Sequence, residues 1–441
     1  MTRYSSLSAA VRCGAAAAAA ALALTSCSAS GDTAAAESAP GVTDTTVTVG
    51  THQPLTGPAA AGYSTISPAT RAYFDYVNDN GGINGRTIEY LVKDDGYNPA
   101  NTQSAVRELV LQEEVFALVG GLGTPPHSAV LDFLNAQGVP DLFVSSGSLL
   151  WNQPQKYPMT FGWQPDYEIE GKIIGRYVKR HFPDAKVGLF LQDDDFGDDG
   201  EKGVRAYIDD QIVAEQRYVS GKTNIAPQIS ALRSSGADLI ISFSTPSYTA
   251  LSQLAVLQLN WQPQWIYSNV GADPALVGSL LSEFSKGKVT DAGLLSGAIT
   301  TEYLAGVDET DDPWIQLWQR VWKKYGGEGK LTNYRVYGMA EAYTFVQALQ
   351  AAGKDLTRDG LVAAVEKAGG NFEGPALAPF RYAPDSHAGI SGMKVVEIRG
   401  KGGEDLTPVL VTDNGDAPIK QSNSENAPPP EDGIPNVKPV G

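Results

Sequence analysis

Cysteine is almost missing from this chain. There are two in 441 residues, Cys13 and Cys27. Cys13 lies in a leader-like segment, so Cys27 alone would remain and neither an internal disulfide nor a paired-cysteine metal site can form. Histidine is nearly as scarce: His52, His127, His181 and His387 show no HExxH spacing, which removes the usual ligand set of a catalytic zinc. No G-x-x-x-x-G-K-[ST] loop occurs, and Gly121-Leu122-Gly123 lacks the third glycine and the downstream acid of a dinucleotide site. A G-x-S-x-G elbow is missing too. Ser145-Ser146-Gly147-Ser148 near His127 reads as a hydrogen-bonding strand end rather than as part of a hydrolase pair. An enzyme is not expected, and no cofactor or metal is.

Basic residues are also in deficit, 33 against 50 acidic, for a net charge of −17. A surface of that sign argues against nucleic acid or anionic lipid as a partner. The apolar run Cys13 to Leu24 is too short to cross a bilayer and follows the basic residues Arg3 and Arg12, which is the layout of an export signal. It ends in Leu24-Thr25-Ser26-Cys27, which resembles the lipobox of bacterial lipoproteins. That resemblance implies a signal peptide over 1–26, a lipid on Cys27 and anchoring to the outer face of the cytoplasmic membrane. Residues 27–43 are small and polar without periodicity, as a flexible tether would be.

What the chain does contain is alternation. Val115 to Val119 is a strand-length apolar run stopped by Gly120, Gly121 and Gly123; Ser128 to Ala136 has helical spacing, and Leu142 to Val144 starts another strand. The same order recurs before and after this stretch. It predicts an α/β protein of two doubly wound, Rossmann-like halves, since 441 residues exceed one typical core. Trp314, Trp318 and Trp322 recur every four residues, the spacing of a helix packing face. From about 413 the chain is rich in Pro, Asn and acid and is predicted to be a disordered tail.

In open parallel sheets ligands sit at the carboxyl ends of strands, so Thr124 and Ser145 to Ser148 would share one rim. A ligand carboxylate could accept hydrogen bonds from Thr124 and from donors around Gly147 and Ser148. An ammonium group would need an acceptor such as Asp166, Asp195 or Asp273.

Several stretches in order, GTHQPLTG from Gly50, NGGINGR from Asn80, KDDGYNP from Lys93, Val119 to Ser128, Pro140 to Ser148, Asp195-Phe196-Gly197 and Asn333 to Gly353, make the chain similar to the Leu/Ile/Val type of substrate-binding protein of bacterial ABC transporters. The resemblance implies a type I periplasmic-binding-protein fold, two lobes joined by a three-strand hinge. The lobes would comprise 44–163 plus 300–372 and 164–299 plus 373–412, with crossovers near Gln164, Ile299 and Phe372. It further implies an exported solute receptor that closes on a small amino acid, amide or organic acid and serves ABC permease subunits; a ligand-sensing module of the same fold is the alternative. Carried over residue by residue, it puts Thr124, Gly147, Ser148, Asp166, Phe196, Tyr248 and Asp273 at the ligand. Pro125 and Pro126 stand where serines are common, and Phe196 where a tyrosine is common, so donors are lost at both places.

Overall fold

The computed structural model describes residues 39–57, 59–289, 292–424 and 426–440. Signal peptide, Cys27 and most of the proposed tether therefore lie outside the described residues. In chain order the first lobe contains β1 (Thr46–Gln53), a short turn of helix α1 (Ala60–Tyr63), α2 (Ile66–Asp79), β2 (Thr87–Asp94) and α3 (Pro99–Leu111). It continues through β3 (Ala117–Val119), α4 (Thr124–Ser128), α5 (Leu131–Ala136), β4 (Asp141–Val144) and β5 (Thr160–Gly162). Its five strands run β2-β1-β3-β4-β5, all parallel. Sequence explains the middle of this sheet: Ala117, Leu118 and Val119 are fully buried, as strands covered by helices on both faces must be.

The second lobe begins at α6 (Tyr167–His181) and continues through β6 (Val187–Gln192), α7 (Asp195–Ile208), β7 (Ile212–Tyr218), α8 (Ala226–Ser234), β8 (Leu239–Phe243), α9 (Pro246–Gln258), β9 (Gln264–Tyr267), α10 (Pro274–Phe284) and β10 (Ile299–Glu302). The chain then returns to the first lobe with α11 (Pro313–Tyr325), α12 (Asn333–Ala352) and α13 (Arg358–Ala368). β11 (Gly392–Arg399), β12 (Gly402–Asp405), β13 (Leu410–Val411) and β14 (Lys420–Gln421) complete the second sheet. Its order is β14-β13-β11-β10-β9-β8-β6-β7, with β12 paired to β11; pairing is parallel from β10 to β7 and antiparallel beyond β10.

Three passages join the sheets. The first follows β5, at Trp163 to Asp166, next to the predicted Gln164. The second follows β10, because Ile299 to Glu302 still pair with β11. The third comes later than the predicted Phe372. Residues 380–390 stay on the first lobe: the Tyr382 ring lies 5.7 Å from Phe143, His387 stacks on Phe161 at 3.6 Å, and Gly162 donates to the His387 carbonyl at 3.0 Å.

The tryptophans of α11 pack as their spacing predicts. Trp318 meets Tyr73 edge-on at 5.5 Å and Trp314 meets Tyr343 at 4.9 Å.

The expected disordered tail is corrected outright. Lys172 of α6 donates to the carbonyls of Asp413, Gly415 and Ala417 at 2.5, 2.7 and 2.8 Å. Farther on, Trp314 donates to Ala427, Tyr73 to Gly433 and Gln350 to Pro435, all at carbonyls of the tail. The segment thus leaves the second lobe after β14 and clasps α2, α11 and α12 of the first. Composition missed it because the tail contributes mainly backbone acceptors, and the donors belong to residues more than eighty positions away.

Candidate functional site

Between the lobes lies a cavity of about 180 Å³, counted as the space open to the centres of water molecules. Its first-lobe wall comes from Tyr63, Tyr97, Leu122 to Thr124 and Ser145, and from Asn333, Tyr334 and Tyr337 on α12. The second lobe adds Tyr167, Phe196, Thr245, Asn269 and Asp273, and Gln164 and Tyr303 come from the first two passages.

Of the seven residues inferred from sequence, three meet here: Thr124, Phe196 and Asp273. Thr124 opens α4, its Oγ1 2.7 Å from Ser146 Oγ. Asp273 caps α10 through Leu276 N at 2.7 Å, and its second oxygen accepts from Asn333 Nδ2 at 2.8 Å. Phe196 lies 4.4 Å from Tyr167, ring to ring.

The other four do not line the cavity. Asp166 caps α6 through Ile169 N and pairs with Arg381 at 2.5 Å; a carboxylate bonded in this way is committed to the structure. Ser148 accepts from Leu150 N at the start of a single helical turn. Gly147 leaves room for its neighbours, since a Cβ there would sit 2.8 Å from both the Pro165 carbonyl and the Tyr167 ring. Tyr248 stacks on Tyr218 at 3.8 Å and donates to the Val219 carbonyl at 3.2 Å. Asp195, a further candidate acceptor, lies at the start of α7 and is likewise outside the lining.

Sequence reading missed the tyrosines. They are scattered from 63 to 337, and no local pattern marks them as neighbours. Tyr97 adopts φ +60° and Gly123 φ +98°, and a Cβ on Gly123 would sit 2.4 Å from the Tyr97 ring. The glycine is what lets that ring reach the strand end.

Beneath the wall are buried carboxyls. Glu341 on α12 accepts from Ser145 at 2.8 Å, while its other oxygen has no hydrogen-bond partner; burial pushes its pKa up to about 8. Burial also raises Glu170, although Thr301, Ser268 and Asn269 all donate to it. Asp194, the cap of α7, is pushed up to about 6 and Asp199 to about 7 by the same cause. Under the β3–α4 turn, His52 and His127 link Asp95 to Asp141 in one buried chain.

This arrangement can hold a small molecule between two lobes. Residues 46–404 match the Periplasmic binding protein family. The Leu/Ile/Val-binding protein homolog 1 of Brucella abortus is 24% identical over 205 residues. That match takes in 44% of this chain and 53% of the relative, so the chain spans about half the length of the curated relatives it matches. Among solved structures, a possible leucine/isoleucine/valine-binding protein from Rhodopirellula baltica superposes with TM-score 0.72 at 21% identity, covering 82% of this chain and 97% of that one. A fatty acid ABC transporter substrate-binding protein from Thermomonospora curvata gives 0.73 at 22% identity, with 87% and 97% covered. A branched-chain amino acid ABC transporter protein from Thermus thermophilus with bound valine gives 0.71 at 20% identity, with 83% and 97% covered. At these identities the likeness is one of fold: the type I arrangement of two doubly wound lobes.

Proposed function

The chain belongs to the periplasmic binding protein family, and we propose that it captures a small organic solute between its lobes and delivers it to an ABC importer. The observation that carries this reading is the cavity itself, walled by both lobes and by the first two passages. A solute there touches both halves, so it favours the closed arrangement over an open one by whatever contacts the second lobe adds. Closure presents a surface that permease subunits can distinguish from the empty form. No chemical step is part of this function.

The space is of the same order as the roughly 150 Å³ cavity known to take benzene, which suits a solute of amino acid size. The class proposed is amino acids and related amides or organic acids; the named relatives carry leucine, isoleucine, valine or fatty acid in their names. Thr124, Phe196 and Asp273 are the proposed contacts from the sequence, joined by Tyr63, Tyr167 and Tyr334. Export and a lipid on Cys27 are part of the same proposal; among the described residues no helix is long and apolar enough to cross a membrane.

The test is thermal shift against a broad panel of amino acids, amides, amines and organic acids. A solute that binds only the folded state raises the melting temperature as its concentration rises. A panel in which nothing does so would sink the receptor reading.

A further inference from the structure

Two parts of the cavity wall differ in the donors they leave for a solute. At the β3–α4 turn, where the family resemblance puts a carboxylate, Pro125 and Pro126 have no N–H. The N–H groups of Gly123 and Ser145 are given to the carbonyls of Ser145 and Gly121, and the Thr124 hydroxyl is engaged with that of Ser146 at 2.7 Å. The Thr124 N–H is what this turn has left.

The wall where the second passage meets α12 is richer. The two are tied by Val307 N, which donates to Asn333 at 2.9 Å. Tyr63, Tyr303 and Tyr334 line the cavity here, Tyr63 edge-on to Tyr334 at 5.6 Å. Among the described residues none of these three hydroxyls has a hydrogen-bond partner in the protein, although Tyr63 and Tyr303 are each only 8% exposed. A hydroxyl buried in that way is costly until something accepts its proton. Burial, and after it neighbours that include Tyr63, raise both Tyr303 and Tyr334, so they remain donors. Gln164, also lining the cavity and buried, accepts from Tyr337 at Oε1, 3.2 Å away, which leaves its amide N–H pair.

Resting on the reading of the chain as a solute receptor, we propose that its solute is a carboxylic acid whose carboxylate sits at the second passage, on the hydroxyls of Tyr63, Tyr303 and Tyr334 and the amide of Gln164, with its body toward Thr124 and Phe196. A carbonyl oxygen has two lone pairs and a carboxylate about four acceptor sites, so the acid matches the donors gathered there better than an amide does. Hydrogen bonds to a charged acceptor are also the stronger kind. Lys401, a basic residue of the lining, comes from the turn after β11, the strand that pairs with β10 at the start of the passage. Glu341, raised by burial to about 8, is largely uncharged at pH 7 and does not oppose an anion. The acid end thus lies away from the turn that the resemblance assigns to it.

Matched acids and amides test the placement: leucine with leucinamide, 4-methylpentanoate with 4-methylpentanamide, and phenylacetate with phenylacetamide. In calorimetry at pH 7, on protein refolded to strip bound solute, at least one acid should bind at least about tenfold tighter than its amide; one charge-assisted contact sets that scale. Tyr303→Phe and Tyr334→Phe should each reduce that preference severalfold, whereas Thr124→Ala should weaken acid and amide alike. Tyr303→Phe should also leave the melting temperature of the empty protein no lower, because the lost hydroxyl has no partner there. An amide that binds as tightly as its acid overturns the assignment and leaves the receptor reading standing. So does a preference that survives in both phenylalanine variants, or one that Thr124→Ala alone abolishes. Silence from all six solutes overturns it as well, and the receptor reading then depends on the broader panel.

Discussion

His52 Nε2 lies 2.9 Å from His127 Nδ1, in the centre of a buried chain that ends on Asp95 at one side and Asp141 at the other, each at 2.8 Å. Thr102 and Thr160 donate to the two outer carboxylates. The four ring nitrogens make three hydrogen bonds, one between the rings and one to each carboxylate. Burial lowers the pKa of His52 below its ordinary value. Gly121 crosses directly above, where a Cβ would come within 2.5 Å of His127. The chain fastens β1, the loop after β2, α4 and β4 together under the turn that carries Thr124.

Cutting that chain should cost much of the stability of the first lobe. His127→Leu leaves Asp141 and His52 buried without their partner, a change on the order of 3 to 5 kcal/mol. Urea unfolding measures it. A loss below about 1 kcal/mol would mean that the two histidines are independent.

Stability should fall as the pH rises from 6.5 to 8.5. Glu341, Glu302 and Asp199 are raised by burial to about 8, 7 and 7, so the folded state holds protons that the unfolded chain has released. For Glu341 that difference opens above its ordinary 4.5 and is complete above about 8; stability is present below this window and lost across it. Glu341 alone contributes roughly 2 kcal/mol between pH 6.5 and 8. Glu341→Gln should flatten the slope in melts taken at successive pH values and raise stability at pH 8.5. Below pH 6.5 the buried His52 and His387, both held low by burial, act in the opposite direction, because unfolding lets them take up protons.

The tail should behave as part of the fold. Lys172→Met removes one ammonium from three carbonyls and is predicted to cost about 2 to 4 kcal/mol. Limited proteolysis should find residues 413–440 protected in the parent chain and cut in this variant. Rapid trimming of the parent tail would contradict the contacts described above.

Cavity membership separates residues that sequence reading grouped together. Thr124→Ala and Tyr334→Leu should each weaken the bound solute by about 1 to 3 kcal/mol. Tyr248→Phe should leave affinity within about 0.5 kcal/mol, since its hydroxyl meets backbone at Val219, Gly221 and Lys222, away from the cavity. Calorimetry on the three variants, with whichever solute the panel yields, distinguishes the two groups; a large loss in Tyr248→Phe would move that residue into the site.

The sequence alone determined the alternation of strand and helix, the glycine stop after β3, the packing face of α11 and the two doubly wound lobes. These are carried by periodicities of two to four residues, which depend on neighbours in the chain. Thr124, Phe196 and Asp273 were legible because each stands at a strand end or a helix start, where this architecture opens toward a ligand. Only the tertiary structure decided which polar groups were left over for a solute. Asp166 and Ser148 also stand at element ends, but a helix cap, Arg381 and a single turn claim them. Tyr63, Tyr97, Tyr303 and Tyr334 converge only when both lobes are assembled. The tail was decided in the same way: hydrogen-bond partners distant in sequence fix it, and composition carries no trace of a distant partner.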